Sequence, residues 1–317
     1  MRSLVLCLLL LTVPVAAAER RGPSPDVLAV QVMLDRLGFS TGEIDGRAGI
    51  NLKRALTAFQ EARRLTASGA LDDATRQRLA EETSSAPPLV DYTLTDADLA
   101  GPFTTDIPNE LVDQAKLPAL GYRSPLEMLG ERFHVNPALL KSLNPGSTFT
   151  KAGERISVPN VERFDPPAAN AAATPAAAPA PAGTVITVTK ATSTLTVTDA
   201  SGALLFLAPV TSGSRHDPLP IGQWKVNGVQ RNPRFHYNPD LFWDANPGDT
   251  KAMLAAGPNN PVGVVWIDIN KPHYGLHGTP EPGLIGHVES HGCVRLTNWD
   301  AQRVAQWARP GTKVIFK

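Results

Sequence analysis

Hydrophobic residues follow two different periodicities along this 317-residue chain. In residues 24–79, apolar residues recur every three or four positions in three stretches separated by glycine-containing loops, which predicts three amphipathic helices. Ser124 and Asn136, each followed by proline, mark the starts of two further helices. The alternating run at residues 155–158 predicts a short strand. We therefore expect a small all-α domain followed by an α+β module.

The pattern changes after residue 183. Runs rich in valine, threonine and isoleucine, bounded by turn residues, predict a series of strands. These runs lie at residues 185–188, 195–197, 204–210, 223–226, 264–269 and 313–316. One helix is expected from about residue 298 to residue 308, before Pro310 and Gly311. We therefore predict a mostly-β, β-sandwich-like domain with a late helix.

A break in composition separates the two halves. Ten of the nineteen residues from 165 to 183 are alanine and five are proline, so the segment buries little and is expected to be an extended, semi-rigid linker. The predicted domains are consequently residues 24–83, 84–163 and 184–317, with the linker at 164–183. Such a linker also predicts few contacts between the N-terminal half and the C-terminal domain.

Residues 1–18 have the composition of a signal peptide. Arg2 precedes an apolar run of twelve residues, 4–15, and alanines at 16–18 supply the small residues of a cleavage site. Twelve apolar residues are too few to span a bilayer, which needs about 20, and no later stretch qualifies as a transmembrane segment. The mature protein is therefore expected to be secreted across the inner membrane into the periplasm or cell wall. With 30 basic and 30 acidic residues, no nucleic-acid partner is expected.

Removal of this leader would leave Cys293 as the single cysteine, in an oxidising compartment where unpaired thiols are uncommon. Taken alone, Cys293 would be interpreted as an inert buried thiol. Its neighbours favour a catalytic role for Cys293, because Cys293 ends the sequence Ser-His-Gly-Cys and His277 lies sixteen residues upstream. A thiol needs a nearby base or positive charge to become a thiolate. Gly292 allows the tight turn that aims successive N–H groups at one point.

Two segments of the N-terminal half resemble wall-binding modules. Residues 24–79 resemble the three-helix peptidoglycan-binding domain of bacterial wall enzymes, although a plain helical bundle is the alternative. This resemblance rests on core and turn positions: Gln31, Leu34, Leu37, Gly38, Phe39, Ile44, Asp45, Gly46, Gly49, Ala55, Leu56, Phe59, Gln60, Gly69, Leu71, Asp72 and Thr75. Residues 122–159, interpreted as helix, helix and strand, resemble a LysM glycan-binding module. Residues 121–122 are the only candidate for the first strand of that module.

The C-terminal domain resembles the L,D-transpeptidases with a YkuD-type catalytic domain, on the motif from His277 to Thr279 followed by Ser-His-Gly-Cys-Val-Arg at 290–295. The resemblance implies that Cys293 is the nucleophile and that His277 is the proton donor and acceptor, oriented by the carbonyl of Gly278. It also implies that His291 and Gly292 form the catalytic turn. Ser290, Arg295 and Tyr274 are implied to contact the substrate.

Other interpretations stay open at some of these positions. His291 either takes part in catalysis directly or holds the turn by a hydrogen bond. Arg295 either binds a substrate carboxylate through its two-pronged guanidinium or forms a surface salt bridge. A zinc site of His273, His287 and His291 is not favoured, because the spacing is not H-E-x-x-H and no helical periodicity surrounds it. No metal and no cofactor is expected.

The resemblance implies a peptidoglycan L,D-transpeptidase. In such an enzyme the cysteine forms a thioester with a tetrapeptide stem, D-alanine leaves, and an amine accepts the acyl group to give a 3-3 crosslink. The implied partners are peptidoglycan stem peptides and glycan, or an amine-bearing wall-anchored protein as acceptor, and the N-terminal modules would retain the enzyme on this polymer. Two alternatives stay open: an L,D-carboxypeptidase, in which water is the acceptor, and a non-catalytic wall-binding protein.

Overall fold

The computed structural model describes residues 22–166 and 181–317. The predicted signal peptide and most of the predicted linker lie outside these described residues. Within them, every helix is either too short or too polar to cross a membrane.

Three helices form the first domain, as the periodicity predicts: α1 (Pro25–Arg36), α2 (Ile50–Ala62) and α3 (Asp73–Glu82). Asp72 caps α3, because its carboxylate accepts a hydrogen bond of 2.8 Å from the backbone N–H of Thr75. The apolar faces of the helices meet in a buried cluster that includes Leu34, Ala55, Leu56, Phe59 and Leu79.

The second module is built on an antiparallel pair of strands, β1 (Leu89–Thr93) and β2 (Arg155–Pro159). The helices between them are α4 (Asp96–Leu99), α5 (Leu111–Gln114), α6 (Pro125–Arg132) and α7 (Pro137–Leu143). Ser124 and Asn136 cap α6 and α7 at the positions that the sequence predicts.

The first strand of this module is not where the sequence suggests. Residues 121–122 form no strand, and β1, far upstream, supplies the partner of β2. Pairing between such distant segments leaves no mark in local periodicity. Tyr122 is instead buried, and its hydroxyl donates to the Glu131 carboxylate at 3.1 Å.

The C-terminal domain contains an eight-stranded sheet and a separate two-stranded sheet. Its strands are β3 (Val185–Thr189), β4 (Thr194–Thr198), β5 (Leu204–Pro209), β6 (Gly222–Arg231), β7 (Phe235–Tyr237), β8 (Ala252–Leu254), β9 (Val265–Ile269), β10 (Gly275–His277), β11 (Val294–Arg295) and β12 (Lys313–Phe316). In the large sheet the order is β11-β10-β9-β6-β12-β3-β4-β5, and β7 pairs with β8. Only the pairs β10–β11 and β12–β3 are parallel in the described residues.

The predicted strands and the late helix, α8 (Asn298–Ala305), are confirmed. Trp299 and Val304 of α8 pack into one core with Phe206, Ile267 and other buried residues of the sheet. The structure therefore confirms a helical N-terminal region followed by a mostly-β domain with a late helix.

The expectation that few contacts join the two halves is wrong. Both N-terminal domains contact α8, through pairs that include Ser40 with Asp300 at 2.9 Å, Asp35 with Arg303 at 3.1 Å, and His134 stacked on Trp299 with ring centroids 5.1 Å apart. The main chain of Leu207 also forms hydrogen bonds with the main chains of Gly38 and Ser40, at 2.8 Å each.

Phe164, which the sequence assigns to the linker, is buried in the C-terminal core. The composition of a linker says nothing about the surfaces of the domains that it connects.

Candidate active site

A cavity of about 1140 Å³ opens beside β10 and β11, at one edge of the large sheet. Five residues singled out from the sequence line it: His277, Cys293, Arg295, Tyr274 and His291. His277 and Arg295 are direct neighbours in the parallel pairing of β10 with β11, and Cys293 lies two residues before Arg295. The fold thus brings a thiol, an imidazole and a guanidinium into one cavity.

His277 is buried, and its imidazole has a defined orientation. Its Nδ1 lies 2.7 Å from the carbonyl oxygen of Gly278. A carbonyl only accepts, so Nδ1 carries the hydrogen and Nε2 has the free lone pair. The ring stacks on Trp266, with centroids 5.4 Å apart. Burial, together with the positive charge of Arg295, lowers the pKa of His277 to about 3. The imidazole is therefore neutral at physiological pH and is available as a base.

The turn that precedes Cys293 is held by two of its own residues. The hydroxyl of Ser290 donates to the carbonyl of Cys293 at 2.6 Å. Gly292 has a φ of 97°, and a Cβ added there would lie 2.7 Å from a ring carbon of Tyr274. Both the backbone conformation and the available space therefore require glycine.

The thiol of Cys293 is a protonated group in this environment. It donates to the carbonyl of His273 at 3.6 Å. Burial raises its pKa, and the opposing effects of the Gly275 amide and the charge of Arg295 do not restore the ordinary value. This differs from the expectation that the neighbours stabilise a resting thiolate. Thiol and imidazole are thus both neutral at physiological pH.

Arg295 is half-buried at the cavity wall. Within residues 22–166 and 181–317, its guanidinium forms no hydrogen bond and no ion pair with a protein group. Its main chain is fixed by two hydrogen bonds with Thr211, of 2.8 and 3.1 Å. The surface salt bridge considered from the sequence is thus not formed in the described structure. An unpaired guanidinium that faces a cavity from a fixed segment of main chain is suited to binding a carboxylate.

His291 and Ser290 have mainly structural contacts. The Nε2 of His291 lies 2.8 Å from a carboxylate oxygen of Asp244, in the loop between β7 and β8, and its ring packs edge-on against Phe242. Ser290 was expected to contact substrate, but its buried hydroxyl is used inside the turn and it does not line the cavity. In the part of the chain that the structure describes, no cluster of three or more potential metal ligands occurs.

The sequence did not reveal that the second module also forms part of the cavity wall. The contributing residues lie between α4 and α6 and include Ile107, Glu110, Leu111, Gln114 and Arg123. Asn246 donates to Glu110 at 2.6 Å, and Arg123 donates to Asn259 at 2.9 Å. Each of these pairs spans 136 positions of sequence, which is why local patterns gave no signal.

Two family models match this chain. Residues 183–316 match the L,D-transpeptidase catalytic domain of the YkuD type, and residues 23–79 match a peptidoglycan binding domain. The chain thus contains one segment similar to L,D-transpeptidase catalytic domains and another similar to peptidoglycan-binding domains.

Curated relatives with L,D-transpeptidase names align with parts of the chain. YkuD of Bacillus subtilis is 41% identical over 59 residues, which are 19% of this chain and 36% of that protein. YqjB of Bacillus subtilis is 27% identical over 112 residues, 34% of this chain and 56% of that protein. YbiS of Escherichia coli K12 is 42% identical over 65 residues, 20% of this chain and 21% of that protein. The chain therefore spans about a third of the YkuD protein and about half of YqjB.

Solved structures show a weaker similarity. An L,D-transpeptidase from Mycobacterium smegmatis has 18% sequence identity and a TM-score of 0.35, covering 43% of this chain and 58% of that one. L,D-transpeptidase 3 from Mycobacterium tuberculosis, in complex with a faropenem-derived adduct, has 20% identity and a TM-score of 0.35, covering 43% of this chain and 60% of that one.

Proposed function

We propose that this chain is a peptidoglycan L,D-transpeptidase in which Cys293 is the nucleophile and His277 transfers the protons. The observation that carries the proposal is the shared cavity. It contains the only thiol of the described residues, an imidazole with its Nε2 lone pair free, and an unpaired guanidinium. Both the catalytic-domain match and the peptidoglycan-binding match are in keeping with this substrate.

In the first half-reaction, the sulfur of Cys293 attacks the carbonyl carbon of the third residue of a tetrapeptide stem, diaminopimelate. As the C–S bond forms, the thiol proton passes to Nε2 of His277 and the carbonyl electrons move to oxygen. The C–N bond then breaks, the imidazolium returns its proton to the leaving amine, and D-alanine departs. A neutral thiol beside a neutral base suits this step, because proton transfer can accompany attack.

In the second half-reaction, an amine attacks the thioester carbon. His277 takes a proton from the amine as the C–N bond forms, and the proton then neutralises the departing thiolate of Cys293. An amine of another diaminopimelate gives a 3-3 crosslink, whereas an amine of a wall protein attaches that protein. Backbone N–H groups of residues 291–293 would stabilise the oxyanion in both steps, and Arg295 would bind a stem carboxylate.

The N-terminal half would hold the enzyme on its polymer. Residues 23–79 would bind peptidoglycan, and the module between β1 and β2 would bind glycan as a LysM-like domain. Such tethering raises the local concentration of stem peptides around the cavity. This function places the protein outside the cytoplasm, with residues 1–18 as the secretion signal.

Mass spectrometry of muropeptides tests the proposal. The mature protein is incubated with sacculi rich in tetrapeptides, and we expect 3-3 crosslinked dimers, free D-alanine and an acylated enzyme in the intact mass spectrum. Cys293→Ala, a substitution of similar size, is expected to keep the fold and lose all three products. Release of D-alanine without crosslinks would identify an L,D-carboxypeptidase, and unchanged muropeptides would identify a wall-binding protein.

A further inference from the structure

The carbonyl that orients the His277 imidazole belongs to a peptide unit that is tightly confined. A Cβ added to Gly278 would collide with the side-chain oxygen of Asn298, and the same is true of Gly263. Asn298 is the first residue of α8 and is fully buried. Its side chain is therefore the wall against which Gly278 packs, and the position of Asn298 limits where the Gly278 carbonyl can lie.

Asn298 is in turn held by the second module. Its Nδ2 donates to both carboxyl oxygens of Glu131, at 3.0 and 3.1 Å, and to the carbonyl of Pro258 at 3.1 Å. Its Oδ1 accepts from the backbone N–H of Val264 at 3.2 Å. Glu131 lies on α6, is only 6% exposed, and also accepts the hydroxyl of Tyr122. A continuous series of contacts thus leads from α6 to the imidazole.

We propose that Glu131 is a positioning residue for the catalytic base: it holds Asn298 against Gly278, whose carbonyl orients His277. The proposal rests on the proposed function, since it assigns His277 the role of base. It gives the second module a part in the chemistry itself, distinct from retention on the wall.

The charge state of Glu131 identifies its conservative substitute. Burial raises the pKa of Glu131 to about 8, and the nearby carboxylates of Glu127 and Glu43 add to this, whereas the hydrogen bonds from Asn298 and Tyr122 oppose it. At neutral pH the side chain is mostly a neutral acid. Glutamine has the same shape and an acceptor oxygen, so Glu131→Gln should keep Asn298 in place.

The experiment compares Glu131→Gln with Glu131→Leu, which fills the volume without offering an acceptor. The first readout is the rate of Cys293 alkylation by iodoacetamide at pH 7, and the second is kcat and KM on a soluble tetrapeptide. We expect Glu131→Leu to lower kcat and the alkylation rate by roughly 10- to 100-fold with KM nearly unchanged. Glu131→Gln should stay close to the wild-type protein in both.

A matched control removes another buried contact with the same helix. Ser40→Ala deletes the hydrogen bond from the first domain to Asp300, but leaves Asn298 and Glu131 untouched. We expect Ser40→Ala to lower the thermal unfolding temperature without slowing alkylation. Equal slowing in Ser40→Ala and Glu131→Leu would mean that general loosening of the interface is responsible, and would overturn the proposal.

A double-variant cycle covers the case in which Glu131→Leu folds poorly. Asn298→Ala should slow alkylation as Glu131→Leu does, and the double variant should be little slower than Asn298→Ala alone, because the two residues act in series. Additive effects, or wild-type alkylation in a folded Asn298→Ala protein, would refute the proposal. Alkylation needs no stem peptide, so absence of crosslinking by the wild-type protein would count against the proposed function alone.

Discussion

At the scale of single residues, burial decides the protonation of the two groups that we propose to react. The same loss of solvent that lowers the pKa of His277 to about 3 raises that of the Cys293 thiol, since it disfavours the charged form of each. The positive charge of Arg295 further disfavours an imidazolium. The site therefore starts from the uncharged pair, and the thiol loses its proton as it attacks an electrophile.

This charge state predicts an unusual pH profile. If the histidine had its ordinary pKa, about 6.5, kcat/KM would fall as the pH decreases through that value. Here we expect kcat/KM on a soluble tetrapeptide to stay flat from about pH 5 to pH 8, because the pKa of His277 lies below this range and that of Cys293 above its ordinary value of 9.0. His277→Gln should lower kcat by roughly 10²–10⁴-fold. A fall in kcat/KM below about pH 6.5 that is absent from His277→Gln would contradict a neutral imidazole beside a neutral thiol.

Gly292 offers a second prediction at this scale. Gly292→Ala forces an L side chain into a left-handed backbone and against the ring of Tyr274, so the turn must shift. We expect a loss of kcat of roughly 100-fold, since displacement of the reacting sulfur by about 1 Å has effects of that size. Gly228→Ala is the control, because an added Cβ there meets open space. Equal kcat values for the two variants would show that the turn is not confined.

At the scale of elements, α8 combines a supporting role for the site with an unusual buried acid. Asp300 is fully buried, and burial raises its pKa to about 7, with Asp35 adding to the rise and Arg303 opposing it. Its Oδ1 has no partner among the described residues, which a neutral carboxyl tolerates better than a carboxylate. Asp35 beside it is ionised, because the charges and hydrogen bonds of Arg303 and His134 together outweigh burial and lower its pKa.

The raised pKa of Asp300 predicts how stability changes with pH. The folded protein binds this proton more tightly than the unfolded chain, so the stabilisation is complete below about pH 4 and is lost as the pH rises to about 7. Asp300→Asn keeps a neutral side chain at every pH. The thermal unfolding temperature should therefore fall less between pH 5 and pH 8 for Asp300→Asn than for the wild-type protein. For the control Asp106→Asn, a change of an exposed residue, the unfolding temperature should fall as much as for the wild-type protein. An equal fall for Asp300→Asn would mean that another group causes the pH dependence.

The elements differ in how far the sequence predicts them. Helices α1–α3, α6, α7 and α8 and the longer strands have strong periodicity, caps and turn residues, and they were predicted. Strand β1 was missed because its partner lies far away in sequence, and β11 is too short for any periodicity. Motif residues identified the thiol, imidazole and guanidinium in advance. Glu131 and Asn298 were not found, because buried polar residues look like surface residues in a sequence.

At the scale of the whole molecule, the interface between the halves changes the expected result of truncation. Few contacts between the halves, as the linker composition predicts, would let a protein that begins near residue 183 fold alone and keep its activity. Such a protein lacks the cavity wall around Glu110 and Arg123, the contact from Glu131 to Asn298, and Phe164 of its own core. We therefore expect lower thermal stability and a markedly lower kcat on soluble tetrapeptides.

A shorter truncation is the matched comparison. A protein that begins at residue 84 loses the first domain but keeps Glu131, Arg123 and the cavity wall. We expect it to keep most of its soluble turnover and to bind sacculi less well than the full chain, as measured by pull-down. Wild-type kcat in the protein that begins at residue 183 would show that the second module contributes nothing to the site.

The place of β12 has a consequence for how the chain acquires its fold. Residues 313–316 lie between β3 and β6, in the middle of the large sheet. Of the strands in this sheet, β12 is synthesised last. Before it emerges, the sheet consists of two separate fragments, β11-β10-β9-β6 and β3-β4-β5, and the edges of β6 and β3 are open. Closure is a single late event that joins segments from opposite ends of the domain, and such non-local pairing is slow. Until that event each fragment keeps an open sheet edge that can pair with a strand of another chain.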